Sequence, residues 1–274
     1  MDPAKVTEEL ETDLLLEALF QGFGFDFRAY ERNGLLAKVR ALMDRHALET
    51  VSQVQDRALH DPAIRAALLR MLSVQPAGLF DEPHLARQLR AVMAATLRAS
   101  AVPKVWLAEC GSAEEAWAAA ILLADEQLHG RTEIYATLSN EELLASVKNA
   151  SIPAARLPEY QENYLKSGGT ANLADYFDVE GERAVLRPHL ARRITWAQYN
   201  VVTDASFNEF QLIVCRRALA DFGPPLRQKT MQLFHDSLSR FGVLGLDREM
   251  DPDEPLYQKY TALFAHQAWY KRVG

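Results

Sequence analysis

The chain has 274 residues, 49% of them apolar, and a formal net charge of −7. That length can bury at least one sizeable core and leaves room for a smaller second domain. The acidic balance and the lack of a Lys/Arg-rich run exclude the basic footprint of a nucleic-acid or anionic-membrane binder.

No apolar run reaches membrane-spanning length, and the first residues lack the apolar core of a signal peptide, so no membrane span and a cytoplasmic location are expected. Cys110 and Cys215, the only cysteines, supply neither a disulfide framework nor a four-thiolate zinc site, and the seven histidines show no paired ligand spacing; no metal is expected.

In chain order, residues 9–100 repeat apolar side chains at helical spacing. Leu14, Leu15, Ala18 and Leu19 form one stripe; Leu35, Leu36, Val39 and Leu42 a second; Ile64, Leu68, Met71 and Leu72 a third. Asp61-Pro62 reads as an N-cap followed by proline at the first helical position. A helical N-terminal domain over residues 1–100 is the expectation.

At Val102-Pro103 the pattern changes. Residues 104–108 form a short apolar run bounded by turn residues, and 113–128 are alanine-rich and helix-favouring. Strands are expected at 132–137, 193–199, 210–215 and 241–246, with helices at 140–147 and 226–238. The alternation predicts an α/β domain over 101–274 with a mostly parallel sheet and crossover helices. It breaks between about 158 and 188, where Gly168-Gly169 and Gly181 punctuate short segments, so a small inserted β subdomain is expected there.

The turn after the first strand reads Ala108-Glu109-Cys110-Gly111-Ser112-Ala113-Glu114-Glu115. A strand, loop and helix of this kind bind a nucleotide-type cofactor because glycine lets the backbone come close and take positive φ. Glu109 places a carboxylate there instead.

Together with Gly24-Phe25-Asp26-Phe27-Arg28-Ala29-Tyr30 and the stretches 72–83, 134–140, 199–204, 206–222 and 241–246, this turn resembles the chemotaxis-receptor methyltransferase (CheR) family. The resemblance implies a helical N-terminal domain followed by a Rossmann-like methyltransferase domain with an inserted β subdomain. It also implies methyl transfer from S-adenosylmethionine to receptor glutamates. Site by site the chain departs from the family pattern.

Where the family carries Asn-Val-Thr and then Phe-Arg-Asp, this chain has Gln75-Pro76-Ala77 and Phe80-Asp81-Glu82, so the arginine that helps position cofactor and acceptor is Asp81. The family glycine after Ala108 is Glu109. The ribose-binding aspartate is Leu138, a loss worth about 1.5–3 kcal/mol. Glu114, Asn200, Val201 and Arg216 match family cofactor contacts, although Glu114 reads equally as a first-turn acid facing the helix dipole. The asparagine after Cys-Arg is Arg217, and the tyrosine near the transferring methyl is Asp221.

With cofactor loop and ribose acceptor altered and two acids at the acceptor side without a cation to offset them, like-charge repulsion disfavours a carboxylate acceptor. The expectation is a catalytically inactive member that needs no cofactor and acts as an interaction module for a protein partner, such as a chemoreceptor or another signalling protein. The alternative is an active enzyme with a different acceptor, in which Glu114 and Asn200 hold S-adenosylmethionine and Asp81 or Asp221 acts as general base. Arg216-Arg217 could take a phosphate-bearing ligand or form local ion pairs. Cys110 and Cys215 read as buried thiols or a redox pair. Arg28, Arg32, Lys38, Arg40 and Arg45 read as a solvated mixed-charge face or a docking surface.

Overall fold

A computed structural model describes residues 3–274, and its contacts divide the chain into two compact units. The first runs to Gln75 and takes back Arg217–Thr230. It holds α1 (Pro3–Phe23), α2 (Arg32–His46), α3 (Val51–His60) and α4 (Pro62–Leu72). Side chains supply the helix starts: Glu31 accepts the Asn33 and Gly34 N–H groups, Thr50 that of Gln53, and Asp61 those of Ala63 and Ile64. The predicted stripes form the core, with Leu15, Leu19, Leu35, Val39, Leu42, Ile64, Leu68 and Leu72 buried together. Leu14 departs from its predicted stripe and faces outward, while Leu16 points in. A run of consecutive leucines leaves the face ambiguous until α1 has a neighbour, here α3.

Residues 217–230 belong to this unit because they are stitched to the segment before α2. The Glu31 N–H donates to the Asp221 carbonyl at 2.7 Å, the Gly223 N–H to the Ala29 carbonyl at 3.0 Å, and the Tyr30 and Phe222 rings lie 5.1 Å apart. Glycine is required at 223, where a Cβ would stand 2.8 Å from the Ala29 oxygen.

The second unit begins with α5 (Pro83–Leu97), whose Val92, Met93 and Leu97 are buried in the core of the α/β layers. The contacts therefore divide the chain earlier than residue 100, since helical periodicity announces a helix and is silent about which core it serves. Then follow β1 (Lys104–Leu107), α6 (Ala113–Asp125), β2 (Glu133–Leu138) and α7 (Glu141–Lys148). The excursion after α7 holds β3 (Ile152–Pro153), α8 (Leu157–Lys166), β4 (Phe177–Glu180), β5 (Arg183–Leu186) and α9 (Pro188–Ala191). The main sheet resumes with β6 (Ile194–Gln198) and β7 (Phe210–Cys215), and after α10 (Pro224–Ser237) come β8 (Leu238–Leu246), β9 (Tyr260–Ala262) and β10 (Trp269–Arg272).

The main sheet has the order β6-β2-β1-β7-β8-β10-β9, parallel from β6 through β8 and antiparallel at β10 and β9. Its central strands are buried on both faces, as parallel strands covered by helices must be. A separate antiparallel sheet has the order β3-β5-β4. The sequence reading missed α8, although Tyr160 and Tyr164, one turn apart, are both fully buried. It also missed β9 and β10. Gly245 on β8 is required by β10, because a Cβ there would stand 2.4 Å from the Trp269 ring.

Candidate functional site

Parallel strands deliver their following loops to one edge of the sheet, the edge where open α/β folds bind ligands. Glu109 lies two residues beyond β1, Ser139 directly follows β2, and Val201 lies three residues beyond β6. The backbone knits these loops: the Cys110 N–H donates to the Thr137 carbonyl and the Tyr199 N–H to the Leu138 carbonyl, each at 2.9 Å.

Glu109 has φ +52°, in the left-handed region, and is only 9% exposed. A residue with a Cβ pays about 1–2 kcal/mol to sit there. Its carboxyl accepts the Ser139 hydroxyl at 3.2 Å and is also hydrogen-bonded by the backbone N–H groups of Ser139 and Val201. Burial outweighs those bonds and pushes the carboxyl up to about 7. Leu138 is 2% exposed and closes the end of β2 with an apolar side chain. The Asn200 side chain is used by its own turn, accepting the Val202 N–H at 2.9 Å, and the Asn200 N–H donates to Asp204. Val201 is buried.

A second cluster surrounds the start of α6. Ser112 caps the helix by accepting the Glu115 N–H, and its hydroxyl donates to the Ala77 carbonyl at 2.6 Å. Glu114, in the first turn, is raised above the ordinary carboxylate range, chiefly by burial; Arg156 opposes that rise and Asp81 adds to it. Asp81 accepts the Gly78 N–H at 2.6 Å. Arg156 forms a two-pronged ion pair with Glu159 and lies 4.5 Å from the centre of the Tyr160 ring. The Tyr160 hydroxyl is buried, has no hydrogen-bond partner among the described residues, and feels the charges of Arg156, Glu114 and Asp81.

These positions correct the expectation of two uncompensated acids for one of them, Asp221. Asp81 feels the Arg156 guanidinium through space, but that guanidinium forms its ion pair with Glu159. Asp221, in the first unit, pairs with Lys38 at 2.6 Å, both side chains being about one-quarter exposed. Asp221 thus has a cation supplied from far along the chain, and the repulsion argument loses that half of its premise. Arg216 stacks over the Trp269 ring at 5.3 Å, whereas Arg217 belongs to the first unit. Cys110 and Cys215 are free and buried; the Cys110 thiol donates to the Ser112 carbonyl, and burial raises it well above the ordinary thiol value. No cluster of His, Cys, Asp or Glu suited to a metal ion occurs among the described residues, and no helix there is long and apolar enough to cross a membrane.

Sequence reasoning missed Ser139, Arg156, Tyr160 and the pairing of Lys38. Ser139 carried a usable signal, being a polar residue immediately after a buried strand. Arg156 and Tyr160 carried none, because their relevance comes from the placement of α8.

A mostly parallel sheet with helices between its strands, polar groups gathered after β1, β2 and β6, and an antiparallel pair at one edge define a Rossmann-like α/β protein of the methyltransferase class. Residues 77–252 match the family described as CheR methyltransferase, SAM binding domain, and the chain belongs to that family. It is 33% identical over 249 residues to Cher3 of Pseudomonas putida, with 91% of each chain covered. It is 28% identical over 152 residues to a chemotaxis protein methyltransferase of Listeria innocua, covering 54% of this chain and 55% of that one. With chemotaxis protein methyltransferase 1 of Pseudomonas aeruginosa the identity is 22% over 147 residues, covering 52% and 53%. The matches to these chemotaxis enzymes therefore span about half their length.

Proposed function

We propose that this CheR-family chain has lost the methyl-donor site and serves as an interaction module for a protein partner in a signalling pathway. The observation that carries the reading is Glu109. Where the family resemblance places a glycine that lets the backbone approach the cofactor, this chain has a buried side chain whose carboxyl takes up the Ser139 and Val201 N–H groups at the ligand-binding edge of the sheet. Leu138 deepens the misfit, because an apolar side chain stands where a ribose hydroxyl needs an acceptor. These residues do not fit S-adenosylmethionine. Charge repulsion by Asp221 no longer supports the reading, since Lys38 pairs with it.

Isothermal titration with S-adenosylmethionine and S-adenosylhomocysteine tests it. The wild-type chain is expected to bind neither with a Kd below about 100 µM. Binding of either at about 10 µM or tighter overturns the loss of the donor site, and methyl transfer with it overturns the interaction-module reading as well.

A second reading, an active methyltransferase with a different acceptor, is favoured by the cluster at the start of α6. The acids Asp81 and Glu114 and the buried Tyr160 hydroxyl offer acceptors to a cationic amine. Radiolabelled methyl transfer to amine acceptors supports this reading, and absence of label with every acceptor class removes it.

A further inference from the structure

We propose that the sheet edge opposite Glu109 carries a protein-docking face, centred on Phe241 and flanked by Arg240 and Lys271, which takes an acidic segment of a partner protein with an apolar side chain set between carboxylates. The inference deepens the reading of the chain as an interaction module by naming the surface and the chemistry it accepts, and it uses none of the residues around Glu109.

The strand β8 starts irregularly. Leu238 pairs with Phe210 and Val243 with Leu212, so residues 239–242 form an excursion that β7 does not match. Bulges of this kind re-aim side chains at strand ends. The excursion is pinned at its base, where the Arg272 guanidinium donates to the carbonyl of His235 at 2.7 Å and to that of Leu238. Within it Phe241 takes φ +66°, a left-handed conformation that a bulky side chain adopts only at a cost that glycine would avoid. Core packing does not offset that strain. Phe241 is 53% exposed, the most of any Phe, Tyr or Trp side chain among the described residues. The Arg240 guanidinium lies 5.0 Å from the centre of its ring and the Lys271 ammonium 5.7 Å. Both cations are exposed, and neither forms an ion pair among the described residues. Val273, which follows β10 toward the same edge, is exposed as well.

An exposed ring between two such cations complements an apolar side chain flanked by carboxylates, the pairing of aromatic and arginine anchors with acids that concentrates binding energy at protein interfaces. The wider edge has the same sign. Beside the ends of β7, β8, β9 and β10 stand Arg240, Lys259, Lys271 and Arg272 against Glu209 and Asp236, in a chain whose net charge is −7. An anionic membrane also takes a ring with cations, but stable anchoring there needs more than one ring and a few charges, and the acidic chain as a whole is repelled.

Two measurements test the face. Phe241→Gly is expected to leave the urea midpoint unchanged or to raise it, since glycine takes φ +66° freely, and to abolish binding. A clearly lower midpoint would mark the ring as a packing element and overturn the proposal. Binding is read from amide chemical shifts during titration with a short synthetic peptide that carries a tryptophan between glutamates. The wild-type chain is expected to bind it with a Kd below about 1 mM, with shifts at residues 239–242 and 271–273, and Arg240→Glu combined with Lys271→Glu to weaken it at least about tenfold. No binding by the wild type, shifts confined to other residues, or equal binding by the charge-reversed variant overturns the proposal, as does binding to phosphatidylserine vesicles in preference to the peptide. Failure of peptide binding would remove this face and leave the loss of the donor site standing. Tight binding of S-adenosylhomocysteine would remove that loss without affecting these outcomes.

Discussion

The Glu109 carboxyl accepts the Ser139 hydroxyl at 3.2 Å, joining the loop that follows β1 to the loop that follows β2. Adjacent parallel strands end side by side, so a side chain of glutamate length suffices to reach from one loop to the next. In the same position a glycine would leave the backbone approachable; the glutamate converts a ligand-facing turn into an internal contact.

That contact has a pH signature. The Glu109 carboxyl rises from 4.5 to about 7 on folding, so the folded state holds its proton more tightly than the unfolded chain. The stabilisation is complete below the unfolded value, declines as pH rises from 4.5 to about 7, and is level above that, a span worth about 3 kcal/mol. Urea unfolding across this range is expected to show the stability of the wild-type chain falling relative to that of Glu109→Gln by that amount as pH rises, along a single-proton curve. A constant difference would contradict the buried-carboxyl assignment.

Ser112 joins two segments through one hydroxyl, accepting from the Glu115 N–H and donating to the Ala77 carbonyl. Ser112→Ala removes the cap and leaves both groups to find other partners, a loss of about 1–2 kcal/mol. Chemical denaturation should register it as a lower midpoint with an unchanged slope. An unchanged midpoint would mean that water replaces the hydroxyl at no cost.

The pair of Lys38 and Asp221 is partly shielded on both sides. A double-mutant cycle built from Lys38→Met and Asp221→Asn is expected to give a coupling energy of about 1 kcal/mol that shrinks in high salt. Coupling near zero would mark the pair as a surface contact without energetic weight.

Cys110 and Cys215 are buried, and the Cys110 thiol holds its proton tightly. Neither is expected to react with an aromatic disulfide reagent until the chain unfolds, whereupon both react. Rapid native-state labelling of either would reinstate the redox reading.

The β1-α6-β2 order, the parallel sheet and the helical beginning were legible because hydrophobic period and turn residues act locally. The predicted strand at 210–215 coincides with β7, and Asp61-Pro62 does start α4. The replacement at Glu109 was equally visible, as an acid in a turn that usually needs glycine. Its buried contacts were not, because Ser139 and Val201 reach it only when β1, β2 and β6 align in register. The helix α8 was overlooked because neighbouring glycines made the region read as short strands, and Arg156 and Tyr160 were overlooked with it.

Local pattern by itself determined the fold class, the family and the residues that depart from the family, since each depends on the order of side chains along the chain. Only tertiary structure decided the charges. Asp221 is neutralised by Lys38, 183 positions away, and Asp81 lies in the field of Arg156 from another element. An ion's energy depends on its distance from countercharges and on how much water it keeps, and folding sets both by bringing together residues whose separation in sequence gives no hint of it.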